Sequence, residues 1–193
     1  MQTNHLSTEL VIQRIANLVR RMMTFWKSVH GWAPIEAAGL LSKSMLTWQA
    51  SLADSLINWN RPLSDGNLIL AWVNVGALVE GQLKLFLSVY YNDYQNDSDA
   101  IKHNGTLRNP DALNLEKLRV FFKKKVWVSS DSWDEWILSI QRRRNAVHAF
   151  EFKDIGTTED LHSNLLTLLL FINDISSRLP YPDGIAAPHE YEY

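Results

Sequence analysis

The chain contains no cysteine. That absence excludes thiol nucleophiles, thiolate zinc sites and a disulfide framework, and it fits a reducing compartment. Glycine and proline are scarce, eight and six in 193 residues, and they fall mostly where helices should start or stop. No charge sign dominates: 19 Lys and Arg stand against 21 Asp and Glu, a net charge of −2. Taken alone, that balance argues against the basic footprint of a nucleic-acid partner. Long apolar runs are missing too. Ile69 to Val79 is interrupted by Asn74, and Leu165 to Ile172 by Thr167. Both fall short of the ~20 apolar residues of a spanning helix, and the N-terminus lacks the basic-then-apolar order of a signal peptide. The expectation is a cytoplasmic protein with no membrane partner.

What is present is enough for a core: 46% of the residues are hydrophobic and 21% charged, and this length suits one domain. The helical period runs through nearly the whole chain, and no strand pattern competes with it. Ser7 or Thr8 caps a first helix predicted to reach about His30, where Gly31 stops it. Pro34 opens a second, running to about Asn60 and ended by Arg61-Pro62. Asp65-Gly66 precedes a third, to about Tyr91, apolar on most sides and therefore expected at the centre of the bundle. Asn92 to Pro110 reads as a long polar loop holding a short helix, a flap or nothing ordered. A fourth helix covers Asp111 to Val126. Ser132 with Glu135 makes a capping box for a fifth, to about Phe150, and Thr157 with Asp160 repeats the signature for a sixth, to about Arg178. The expected fold class is all-α, an elongated bundle of five or six helices. It comprises one domain over residues 1–182 and an acidic, fraying tail over 183–193.

Several chemistries are excluded. Gly76-Ala77-Leu78-Val79-Glu80-Gly81-Gln82 copies the glycine spacing of a phosphate loop, but it lacks the lysine and sits mid-helix without a preceding strand. Its glycines suit close helix packing instead. None of the six histidines has a helical i, i+4 partner or an acidic neighbour in a metal-ligand arrangement, so no metal and no cofactor is expected. The pair Asp134-Glu135 opens a helix and fits dipole stabilisation. Lys123-Lys124-Lys125 closes the fourth helix, where cations suit the dipole; read from the run alone it is a solvated face before it is a phosphate contact.

One segment stands apart: Ile140-Gln141-Arg142-Arg143-Arg144-Asn145-Ala146-Val147-His148-Ala149-Phe150. With Trp133 at 0° and steps of ~100°, Trp136, Ile137, Ile140 and Val147 form an apolar stripe near ~320°. Arg142 falls on the solvent side at ~180°, while Arg143 at ~280° and Arg144 at ~20° flank the stripe, with His148 at ~60°. Charges bordering a buried surface need an acid, a phosphate or a water-filled cleft.

This stretch resembles the motif of the HEPN superfamily (higher eukaryotes and prokaryotes nucleotide-binding domains), an arginine followed after four to six residues by a histidine, late in an all-α bundle. Arg143 and His148 match the four-residue spacing and Arg142 the five. Arg144-Asn145-Ala146-Val147-His148-Ala149-Phe150, then Ile155-Gly156-Thr157 and Leu179-Pro180-Tyr181-Pro182, are similar to a bacterial single-domain HEPN group. The order of helices fits most of the chain. The family carries a polar Asn, Asp or His directly after its arginine; Arg144 stands there here and Asn145 follows, which leaves open whether Arg143 or Arg144 fills the arginine role.

The resemblance implies a metal-independent endoribonuclease, a toxin or phage-defence RNase acting on single-stranded RNA as a homodimer with a composite site, possessed of an antitoxin partner. His148 would be the acid–base group and Arg143 the phosphate clamp, supported by Arg144, Asn145, Arg142, Lys123 and Lys124. Attack by the ribose 2′-OH would leave a 2′,3′-cyclic phosphate. On a straight helix Arg143 and His148 lie ~140° apart, so two chains across a twofold, not one, would aim both at a phosphate. The alternative implied by the same family is a non-catalytic RNA- or nucleotide-binding module, or a helical dimerisation module, partnered with a nucleotidyltransferase antitoxin.

The net charge also resolves on closer reading. Residues 111–153 carry 9 basic against 6 acidic side chains, and residues 154–193 carry 1 against 7. The basic excess lies in the helices that bear the lysine run and the motif. The acidic terminal segment is expected to pair with the arginines at rest.

Overall fold

The structure, a computed structural model, describes residues 6–28, 33–128 and 130–189. It is all-α apart from one two-residue hairpin. The described helices are α1 (Thr8–Lys27), α2 (Ile35–Lys43), α3 (Leu46–Asp54), α4 (Asp65–Val89), α5 (Tyr91–Asn96), α6 (Leu115–Lys125), α7 (Trp133–Arg144) and α8 (Thr158–Ser177). Ser7 caps α1, its hydroxyl accepting from the Leu10 N–H at 3.3 Å. The predicted stop at His30 and Gly31 lies outside the described residues.

The second predicted helix is in fact two helices and a 3-10 turn, Ser55–Trp59. Ser44 breaks it: its backbone is extended and its hydroxyl donates to the Leu40 carbonyl at 2.9 Å, the local competition that makes serine a poor interior residue. The break lets α2 pack on α4 while α3 turns to α1. The polar stretch is ordered. It holds α5 and a hairpin of β1 (Lys102–His103) and β2 (Thr106–Leu107), with Lys102 opposite Leu107. Asn104 and Gly105 both have positive φ, 51° and 77°, the backbone of the tight hairpin turn that Asn-Gly favours. The expectation of no strand overlooked that dipeptide.

α6 starts at Leu115, later than predicted, because residues Pro110–Ala112 form a 3-10 turn and Asn114 caps the helix through the Lys117 N–H. The capping box expected at Ser132 is absent. The Ser132 backbone has ψ 7°, not the extended value a cap requires, and its side chain makes no cap bond. The box at Thr157 is complete, with the Asp160 N–H on the Thr157 hydroxyl at 3.2 Å and the Thr157 N–H on the Asp160 carboxylate at 2.8 Å.

α4 runs through the centre, packed by α2, α3, α6, α7 and α8. Among the described residues it is long and apolar enough to cross a membrane by length and composition, contrary to the reading of short apolar runs. Its sides are covered by protein: Leu68, Ala71, Trp72, Val75, Leu78, Val79 and Leu83 are all buried. α8 lays Leu161, Leu165, Leu168, Phe171, Ile172 and Ile175 into the same core, each side chain worth roughly 1.5–3 kcal/mol when taken from water. The segment after α8 returns to the bundle within the described residues. Tyr181 packs on Phe25 and Trp26, and the Ser176 hydroxyl donates to the Pro188 carbonyl at 2.9 Å.

Candidate functional site

α7 forms because Trp133, Trp136, Ile137 and Ile140 repeat at helical spacing. Ile137 and Ile140 are fully buried, and both tryptophans meet Phe171 of α8 with ring centroids 5.3 Å apart. The helix ends at Arg144, and Asn145–His148 form a 3-10 turn before the chain becomes extended at Ala149. The prediction of a helix continuing to Phe150 is therefore corrected. Asparagine and valine are weak helix formers, and in a 3-10 turn residues i and i+3 eclipse. His148 thus stands over Asn145 instead of following the straight-helix wheel. Val147 does not join the apolar stripe; it is exposed.

The two arginines that end α7 meet α4 at successive turns of one stripe. Arg143 faces Trp72, with its guanidinium carbon 4.7 Å from the ring centroid. Trp72 is held in turn by its indole N–H on the Ile155 carbonyl at 2.8 Å. The Asp160 carboxylate lies 3.9 Å from Arg143. Gly156, at φ 67°, closes this side; a Cβ there would lie 2.9 Å from the Arg143 guanidinium carbon. Arg144 lies further along the same face. Its Nη1 donates to Glu80 at 2.9 Å and to the Gly76 carbonyl at 3.4 Å. Glu80 also pairs with Lys84 at 2.8 Å.

Arg144, Asn145, His148, Glu80, Lys84 and Gln49 line one open cleft of about 370 Å³. The His148 imidazole is exposed and, among the described residues, has no hydrogen bond or ion pair. Of the candidates from the sequence, the fold therefore brings together His148, Arg144 and Asn145. Arg143 does not line this cleft, and Arg142 is exposed to solvent as the wheel placed it. Lys123 and Lys124 are elsewhere. Lys123 pairs with Asp134 at 2.7 Å, and Lys124 with Asp99. Part of the acidic terminal segment does meet an arginine, through Asp160. The described tail instead docks by Pro188 at the C-terminal end of α8, away from the motif.

Sequence reasoning missed Trp72, Glu80 and Lys84. Together with Gly76 they recur every four residues on α4, so one stripe of that helix underlies the motif turn. The signal was there: Glu80 and Lys84 are the only charges in α4 after its first residue. The rejected glycine pattern has its explanation here as well. Gly76 makes room for the Arg144 stem, whose Cδ would lie 2.5 Å from a Cβ at that position, and Gly81 makes room for the Gln49 amide. Among the described residues no three His, Asp or Glu side chains converge as a metal-binding group. Comparison of the chain with protein-family models, curated proteins and solved structures finds no match.

Proposed function

We propose that this protein is a HEPN-like, metal-independent endoribonuclease whose reacting groups are His148 and Arg144. The observation that carries the reading is the cleft in which an unpartnered imidazole opens beside two cations, Arg144 and Lys84. Imidazole titrates near neutrality and suits proton transfer. A guanidinium suits the equatorial oxygens of a phosphorane-like transition state. In the step proposed, one His148 takes the 2′-OH proton, the 2′-oxygen bonds to phosphorus, and the P–O5′ bond breaks. A second histidine gives its proton to the departing O5′, leaving a 2′,3′-cyclic phosphate and a 5′-hydroxyl. The second histidine comes from a second copy of the chain. Support for that copy is the apolar surface beside the site: Val147, Phe150 and Phe152 are exposed, the two phenylalanines almost entirely.

Arg143, stacked on Trp72, holds the turn instead of clamping phosphate. Only three residues separate Arg144 from His148, one fewer than the family's shortest spacing, so this site departs from the pattern it resembles. Glu80 holds Arg144 at rest, and a phosphate must displace that carboxylate to bind. A non-catalytic module is the competing reading, favoured by the same observation that both motif arginines already have carboxylate partners.

Purified protein incubated with single-stranded RNA and a chelator tests the choice. Cleavage to cyclic-phosphate ends is expected, reduced about a hundredfold or more by His148→Ala and strongly by Arg144→Ala. Cleavage that survives His148→Ala overturns the assignment. Stabilisation by RNA without turnover selects the binding module. Growth arrest on expression, lost in the His148→Ala variant, is expected of a toxin or defence nuclease and sets up the search for its antitoxin.

A further inference from the structure

At the far end of α4 from Trp72 lies a cleft with aromatic walls, about 440 Å³, within the size range of small-molecule sites. Its walls are two ring pairs. Phe86 and Tyr90 have centroids 4.8 Å apart, and Tyr94 and Phe121 5.3 Å apart. A narrower apolar pocket of about 170 Å³, floored by Trp26, Leu41 and Val89, adjoins it and shares Tyr90 and Asp93.

Two acids, Asp93 and Asp97, and two cations, Lys125 and Arg178, line the cleft, and the helix ends add to the negative side. Tyr90, Val126 and Arg178, the residues that end α4, α6 and α8, all line this cleft. Helix C-termini carry partial negative charge, and here three converge. The two cations on the rim are already engaged: Lys125 with Asp97 and Asp99, both at 2.8 Å, and Arg178 with Asp174 at 2.9 Å and Asp131 at 3.2 Å. With Lys124, which also pairs with Asp99, three cations meet these four carboxylates. A fifth, Asp93, is exposed between the two pockets and, among the described residues, has no hydrogen bond or ion pair.

We infer that this cleft binds an organic cation with an apolar body, an aromatic or alkyl amine, its ammonium on Asp93 and its body against Phe86, Tyr90 and Tyr94. Aromatic faces attract cations through the ring quadrupole and also take up an apolar body. Anions are disfavoured by the surplus carboxylates and by the helix ends. The site is independent of the RNase reading, whose cleft shares no lining residue with this one.

The test uses the full chain and three probes of nearly one shape: tryptamine (cationic), indole-3-ethanol (neutral) and indole-3-acetate (anionic), titrated by calorimetry at low salt. The expected order is tryptamine, then indole-3-ethanol, then indole-3-acetate. Tryptamine should lead the neutral probe by about tenfold, the order that one ion pair and one cation–π contact supply together. Asp93→Asn, an exposed and fold-neutral change, should bring tryptamine down to the neutral probe, while Asp65→Asn at the other end of α4 should change nothing. Equal binding of the three probes, a preference that survives Asp93→Asn, or no binding of tryptamine at all overturns the inference.

Discussion

Gly39 and Gly76 are both interior helical glycines, and their surroundings differ. Nothing lies within 4 Å of a Cβ placed on Gly39, whereas one placed on Gly76 lies 2.5 Å from the Arg144 Cδ. An interior glycine costs roughly 0.5–1 kcal/mol relative to alanine. Gly39→Ala is therefore expected to stabilise the protein by about that amount in urea unfolding. Gly76→Ala should give no such gain, because the new methyl must push the Arg144 stem out of its groove. If Gly76→Ala stabilises as much as Gly39→Ala, Arg144 does not lie on α4 as described. The same residue is where the motif becomes asymmetric. Two adjacent arginines acquire different partners, Asp160 for one and Glu80 for the other, because successive side chains on a helix diverge by ~100°.

α6 and α7 are joined by an ion cluster. Arg119 is bonded to Glu116 and Asp134, and Asp134 also takes Lys123 at 2.7 Å. The Arg119 hydrogen bond holds the Glu116 carboxyl below the usual carboxylate range. For Asp134 burial pushes the carboxyl up, but the hydrogen bonds from Lys123 and Arg119 prevail and leave it below that range as well. Asp97 and Asp99 are lowered in the same direction by Lys125 and Lys124. A carboxyl with a depressed folded value contributes stability that is present above its unfolded value and is lost as pH falls through the folded one. The melting temperature is therefore expected to hold from neutral pH to about pH 5 and to fall steeply below about pH 4. Asp134→Asn should lose about 2 kcal/mol at neutral pH and show a shallower acid limb, so that variant and parent converge in acid. Parallel curves across the whole range would show that this cluster is not what acid breaks. The lysine run thus has a structural use: its members tie α6 to α7 and to the turn after α5.

The two proposed sites lie at different places on the molecule. The motif turn and its cleft lie along α4 between Val73 and Lys84. The aromatic cleft and the docked tail lie toward the end of α8, a helix about 30 Å long by its rise per residue. Phe150 and Phe152, 108% and 93% exposed, are an unusual cost for a lone chain in water. Sedimentation at tens of micromolar should accordingly find a dimer, and a Phe150→Ser, Phe152→Ser double variant should be monomeric with unchanged helicity and reduced RNA cleavage. A parent protein that stays monomeric at every concentration would defeat the composite site while leaving the single-chain cleft intact.

Periodicity and capping are local, and at that level the chain is legible. The all-α class, the central α4, the Thr157–Asp160 cap and the position of the motif late in the bundle all follow from residues within a turn or two of one another. Local reading failed where a side chain competes with the backbone, as at Ser44, and it left open the stretch 92–110, where the Asn104-Gly105 turn closes a short hairpin. It failed at the end of α7 too, where a 3-10 turn re-aims His148. The cleft itself was beyond reach for a different reason. Glu80 and Arg144 are 64 residues apart in the chain, and no spacing rule links them. Only the packing of α7 against the Trp72–Gly76–Glu80–Lys84 stripe decides that Arg144, and not Arg143, shares a cleft with His148.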